Sequence, residues 1–222
     1  PGDDGVGKVE MILTDKRGKE RVRKFNMLRK DFEEGGQQKY FIYFIEPNDV
    51  RRMTFMVWKH VDKDDDRWIY IPSLDLVRRI AAKDKNSSFV GSDFTYEDVS
   101  GRHWAEDTHE ILREDVLEGS NVYVIKSTPI EEKSSKFRYK LSWIGKTNSL
   151  PLREEYYDSK EELVKVFTAN EITEIDGELI VTKRTMEDKK KGHTTVVTFS
   201  EITLNAGIED NIFTERFLRR PP

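Results

Sequence analysis

The sequence predicts a mainly β protein, α+β by strict count. A large antiparallel sheet of about ten or eleven strands, with a few short helices, curls into a barrel or half-barrel, a two-sheet sandwich being the alternative that periodicity leaves open. Three observations carry this. Apolar and polar residues alternate in long runs over nearly the whole chain. Short polar turns separate the runs, too short for the crossovers that parallel strands require. Helical patterns are scarce, so so wide an apolar sheet has too little helix to cover it and must curl over itself.

The elements follow in chain order. "KVEMILTD" places Val9, Met11 and Leu13 on one face, and Asp15-Lys16-Arg17-Gly18 turns the chain into "ERVRKFNMLRKDF". "KYFIYFIEP" is apolar on both faces and stops at Pro47, which cannot donate to a ladder. "MTFMVWKHV" and "RWIYIPS" flank a polar turn from Asp62 to Asp66 and form a hairpin. In "FRYKLSWIG", Phe137, Tyr139, Leu141 and Trp143 point one way and Arg138, Lys140 and Ser142 the other. Further strands are expected at about residues 107–118, 121–130, 150–157, 161–175, 178–188 and 193–205. Helix is expected over residues 92–100, over part of 74–84, and in "IEDNIFTERF" near the C-terminus.

A chain of 222 residues fits one domain spanning positions 1–222. The net charge is -4 with acids and bases interleaved, which makes no field for nucleic acid, so no nucleic-acid partner is expected. No apolar run approaches the roughly 18 residues of a membrane helix. There is no cysteine, which excludes thiol catalysis, disulfides and thiolate metal sites. His103 and His109 stand six apart, a spacing that fits neither one helix face nor one strand face for a metal. No nucleophile elbow, phosphate loop or dinucleotide fingerprint occurs. No catalytic residue, metal or cofactor is therefore expected, and the protein reads as a non-enzyme.

Side chains just fill an eight-stranded barrel, so a wider sheet should keep internal space, whereas a two-sheet sandwich would not. The residues expected to line that space are Met56, Trp58, Trp68, Tyr139, Leu141 and Trp143, large apolar groups suited to an adaptable greasy surface. Alternation separates the two faces of each strand without naming the inner one. The stretch "FVGSDFTYEDVSGR", Phe89 to Arg102, is expected to lid the opening. Ser92, or Thr95 with Asp98 three residues on, has N-cap chemistry, and Gly91 and Gly101 let the chain turn in and out. In such a helix Phe94 and Tyr96 fall on nearly opposite sides, one toward the sheet and the other toward solvent or a partner.

The W-x-Y-x-P element of Trp68, Tyr70 and Pro72, then Arg78-Arg79-Ile80, then Gly91-Ser92-Asp93-Phe94-Thr95-Tyr96-Glu97-Asp98, together resemble the outer-membrane lipoprotein-sorting protein family, the group related to the periplasmic carrier LolA. The order of strands extends the resemblance over essentially the whole chain. It implies a half-open barrel whose cavity accepts acyl chains of lipoproteins or other lipids in the Gram-negative periplasm. It also implies an inner-membrane exporter as donor, an outer-membrane acceptor, and a monomer. The family's N-terminal lid helix should precede the first strand, but only "PGDDGVG" does, so that helix is expected to be trimmed or absent. The family's latch arginine matches no motif here, and no latch role is transferred. The alternative is a non-catalytic accessory module that docks on an envelope exporter and has no cargo cavity.

Overall fold

A computed structural model describes residues 2–33 and 36–222. Its first half contains β1 (Asp4–Thr14), β2 (Glu20–Glu33), β3 (Gln37–Glu46), β4 (Thr54–Lys59), β5 (Asp66–Ile71) and β6 (Leu76–Ile80). The second half contains β7 (Asp107–Leu117), β8 (Ser120–Pro129), β9 (Tyr139–Gly145), β10 (Pro151–Tyr157), β11 (Leu163–Ile175), β12 (Glu178–Asp188) and β13 (His193–Leu204). Between the halves lies α1 (Tyr96–Ser100), and α2 (Glu215–Arg219) ends the fold.

All thirteen strands form one sheet in the order β6-β5-β4-β3-β2-β1-β13-β12-β11-β10-β9-β8-β7. Every neighbour is a sequence neighbour except β1 and β13, which pair antiparallel at the centre, Met11 opposite Val197 and Leu13 opposite Thr195. The chain therefore runs outward from the centre to β6. It then crosses to the far edge at β7 through residues 81–106, and returns to the centre. That crossover traverses the opening of the curved sheet.

The turns show why the hairpins close where they do. Asp15 Oδ1 accepts from the backbone N–H groups of Arg17 and Lys19, while Gly18 takes the left-handed backbone (φ 76°) that a side chain would resist. Residues 76–80 correct one expectation, since they form a strand in a stretch where helix was expected. "LVRRI" pairs with β5 from Ile71–Leu76 to Arg67–Ile80, and only single 3-10 turns, Pro72–Leu74 and Ala82–Asp84, flank it. Ladder pairing at a free sheet edge outweighs the weak helical pattern there. The C-terminal stretch does become helical, as a 3-10 turn at Asp210–Ile212 followed by α2.

Register sorts the core into two faces. The inner face, beneath the crossover, carries Val9, Met11, Phe25, Ile42, Phe44, Phe55, Met186 and Val197 in one buried cluster that also takes Phe89, Phe94 and Tyr96 from the crossover. The outer face of β3–β5 carries Phe41, Met56 and Tyr70, buried beneath Ile208, Phe213 and Leu218 of the C-terminal segment. A third cluster, of Val122, Val124 and Trp143, lies on β8 and β9.

Candidate functional site

The crossover is a cover with its own local logic. Thr95 caps α1: its hydroxyl accepts from Asp98 N–H at 3.1 Å, and the Asp98 carboxylate accepts from Thr95 N–H at 2.7 Å. Of the two N-cap candidates, Thr95 is the one used. Because the helix begins at Tyr96, Phe94 lies in extended chain ahead of it, and helical spacing does not apply to the pair. The expectation that one of them faces outward is accordingly corrected. Both are buried, Phe94 at 8% exposure and Tyr96 at 7%. Tyr96 packs on Phe55 at 5.3 Å between ring centroids and on Phe89 at 5.9 Å, and Phe89 also meets Phe55 and Phe44.

Polar contacts fix the cover to the sheet along its length. The Asp93 N–H donates to Thr195 Oγ1 of β13, which donates in turn to Asp93 Oδ2 at 2.7 Å. Lys165 of β11 donates to the Asp93 carbonyl. Lys59 of β4 donates to the carbonyls of Ser100 and Gly101 at 2.8 and 3.0 Å. At the β7 end, Lys85 and Arg102 meet Glu97, Glu106 and Asp107 at 2.7–3.2 Å. Burial pushes the Glu97 carboxyl above its usual range despite Lys85 and Arg102 beside it.

Between cover and sheet an inner cavity of about 410 Å³ remains. Its walls are largely apolar, with Met11, Phe25, Met27, Ile42, Val197 and Phe199 from the sheet and Phe89, Phe94 and Val99 from the cover. Arg29, Gln38, Tyr40, Asp98 and Arg184 are its polar members. That volume lies within the roughly 300–1,000 Å³ of small-molecule sites. A larger, charged cleft of about 610 Å³ lies beside the β4–β5 turn, lined by Asp62–Asp65, Lys83, Lys85 and Glu131 among others. Among the described residues no cluster of three or more histidines and acids could hold a metal.

The sequence-predicted lining divides sharply. Phe94 lines the cavity and Tyr96 packs behind it. Met56, Trp58 and Trp68 belong to the outer-face cluster under the C-terminal segment, where Trp58 Nε1 donates to the Phe213 carbonyl at 3.1 Å. Tyr139, Leu141 and Trp143 stand opposite Tyr157, Glu155 and Arg153, on the face away from Lys140 and Ser142, whose side chains reach the inner-face Glu154. Tyr139 stacks on Tyr157 at 4.8 Å, and Leu141 and Trp143 join Val122 and Val124. None of these six lines the 410 Å³ cavity, and their expected place in its wall is corrected. The reason is geometric: alternation predicts two faces, and on this sheet both are buried. The residues missed include Phe25, Ile42 and Phe199, whose register places them on the face of Val9 and Met11, the alternating pattern read first in the chain, and Phe89, which the crossover brings in.

A family model described only as "-like: Uncharacterized protein" matches residues 36–220. Among curated proteins, none matches the chain. Solved structures do. A DUF1329 family protein from Desulfovibrio piger is 30% identical with a TM-score of 0.92, the match covering 98% of this chain and 92% of that one. A structure provisionally described as an outer membrane lipoprotein-sorting protein domain from Vibrio parahaemolyticus is 28% identical, with a TM-score of 0.91 and the same coverage. A LolA superfamily protein from Nitrosomonas europaea shares the fold at 21% identity and a TM-score of 0.75, covering 98% and 92%.

Proposed function

This chain belongs to the DUF1329 family and has the LolA-like fold, and we propose on that premise that it is a periplasmic carrier of acyl chains. The observation that supports this most is the apolar inner cavity of about 410 Å³ beneath a cover built from the crossover. Its lining is aliphatic and aromatic, with methionines at Met11 and Met27 that adapt to a flexible chain. Each methylene buried there stabilises the complex by about 0.8 kcal/mol, so a long chain is held by area alone. Release then requires a partner or a change of shape. Transfer from an inner-membrane exporter to an outer-membrane acceptor, by a monomer that performs no chemistry on its cargo, is the scheme that fits. The cargo is a lipoprotein's acyl chains or another lipid. The open cavity weighs against a docking module with a filled interior. No described helix is long and apolar enough to cross a membrane.

The site of binding is the cavity wall around Phe25, Ile42, Phe89, Phe94 and Phe199. Replacing Phe94 with glutamate places a carboxylate among these groups, and uptake of a fluorescent fatty-acid probe is expected to weaken at least tenfold, about 1.4 kcal/mol. Near-wild-type affinity in a folded Phe94→Glu protein would remove the cover from the site. Failure of the wild-type chain to take up any acyl probe, with no copurifying lipid in native mass spectrometry, would remove the carrier reading altogether.

A further inference from the structure

The cavity wall carries one charge that the protein leaves alone. Arg184 lies mid-strand on β12, opposite Val197 on one side and Ala169 on the other, so its side chain is on the inner face. Its guanidinium stacks on the Phe199 ring at 4.6 Å, and its Nε is buried with no hydrogen-bond partner. Among the described residues it makes no ion pair. Among the other inner-face cations, Arg23 is buried against the cover near Gly91 with its Nη1 unbonded, but it lies outside the cavity wall, and three others are matched. Arg29 holds Asp31 at 2.6 Å, Lys140 holds Glu154 at 2.7 Å, and Arg67 holds Asp65 at 2.7 Å. The one carboxylate lining the cavity, Asp98, accepts the Thr95 N–H as part of the α1 cap.

An unpartnered guanidinium against an apolar wall is costly to keep. Burial lowers its pKa to about 10, which still leaves it charged at neutral pH. Beside it, the Tyr40 hydroxyl donates to Gln38 Oε1 at 2.6 Å and Gln38 Nε2 donates to Asp31 at 2.8 Å, so those groups are spent on one another. What Arg184 lacks is an anion paired with it, since Asp98 is spent on the α1 cap, and a bound molecule can bring one where an ester or alcohol cannot.

We propose that Arg184 recognises the head of the cargo, and that this cargo is an amphiphile with one anionic oxygen head group, a fatty carboxylate or an alkyl phosphate, whose chain lies along Phe25, Phe94 and Phe199. The inference rests on the carrier reading of the same cavity. It narrows that reading, because the acyl chains of a fully esterified lipid offer no such charge.

The test titrates hexadecanoate, hexadecyl phosphate and hexadecanol into the wild-type chain, Arg184→Met and Arg184→Lys at pH 8. Folding is checked by circular dichroism. Both acids are expected to bind the wild type at least about tenfold tighter than the alcohol, as for a charge-assisted hydrogen bond. Arg184→Met should reduce the acids to the alcohol's affinity and spare the alcohol, while Arg184→Lys keeps part of the preference. Equal affinity of hexadecanol and hexadecanoate for the wild type overturns the head-group role and leaves the carrier reading standing, a result that holds even if Arg184→Met does not fold. Displacement of bound hexadecanoate by millimolar acetate or inorganic phosphate would make this a site for a free anion and overturn the amphiphile. If no long-chain ligand binds, the carrier reading falls with it.

Discussion

The two faces of this sheet bury aromatic side chains under short helical covers, and they do it differently. On the outer face Phe213 and Leu218 are 1% and 0% exposed, Thr54 donates to the Leu218 carbonyl at 2.7 Å, and Trp58 and Trp68 meet at 5.3 Å. That cover packs directly on Phe41, Met56 and Tyr70. On the inner face the cover is held by ions and hydrogen bonds along its length and by Phe89, Phe94 and Tyr96, yet about 410 Å³ beneath it stays open. Apolar content does not distinguish a core from a site here, nor does the mode of attachment, since Lys30–Asp210 and Arg219–Asp75 also tie down the outer cover; the distinction lies in the cavity that the inner cover spans.

The comparison can be broken first at the outer face. Phe213→Ala should cost about 3–5 kcal/mol, the range for a buried phenylalanine left as a cavity, and should leave the affinity for an acyl probe unchanged. Chemical denaturation and probe titration on the same sample check both halves. A large loss of affinity at unchanged stability would mean that the outer face is the binding face.

The inner face should break through charge. Glu154 accepts from Lys140, Ser142 and Tyr156 at 2.7, 3.0 and 2.7 Å. Burial raises the Glu154 carboxyl, but Lys140 and these hydrogen bonds outweigh it and hold the group below its ordinary range. Lys140→Met, which leaves that carboxylate buried without its cation, should cost about 3 kcal/mol at pH 7. A depressed carboxylate stabilises the fold above its ordinary pKa and loses that contribution as pH falls through its folded value. The melting temperature of the wild type relative to Glu154→Gln should therefore decline below about pH 4.5. A difference that stays flat from pH 7 to pH 3 would show the pair to be inert.

The smallest effect sharpens the picture of the cover itself. Thr95→Ala removes one half of the capping box and should cost about 1 kcal/mol. If the cover opens locally, hydrogen exchange at Asp98 N–H should accelerate more than exchange in β1. Uniform acceleration would make cover and sheet a single cooperative unit.

Much of this was legible in the sequence. Val9, Met11 and Leu13 alternate onto one face as read, the Thr95-x-x-Asp98 cap is written in the residues, and the scarcity of helix points to a sheet that must curve. The sign of each face was not legible. Trp58 and Trp68 look like cavity wall because they are large and apolar, yet the C-terminal segment claims them, and nothing local to β4 or β5 announces that segment. Arg184 sits beside Lys183 in a run of charges and reads as surface. Only the pairing of Arg184 with Val197 brings it inside, and a bulge between Ala169 and Glu171 on the neighbouring strand shows how one residue can exchange the faces.

The route of the chain has a mechanical meaning. The crossover enters from β6 and leaves into β7, and these are the two free edges of the sheet. It is thus no door on a hinge. It is a bowstring, tied to both tips of the bow, so when it lifts its two ends stay with the rims. We expect emptying to be worked from behind, by whatever flattens or tightens the arc. Spin labels at Arg79 and Glu110, one on each rim, would register this as an interlabel distance that shifts when an acyl ligand binds. A constant distance would mean that cargo leaves along the trough instead, beneath a string that never moves.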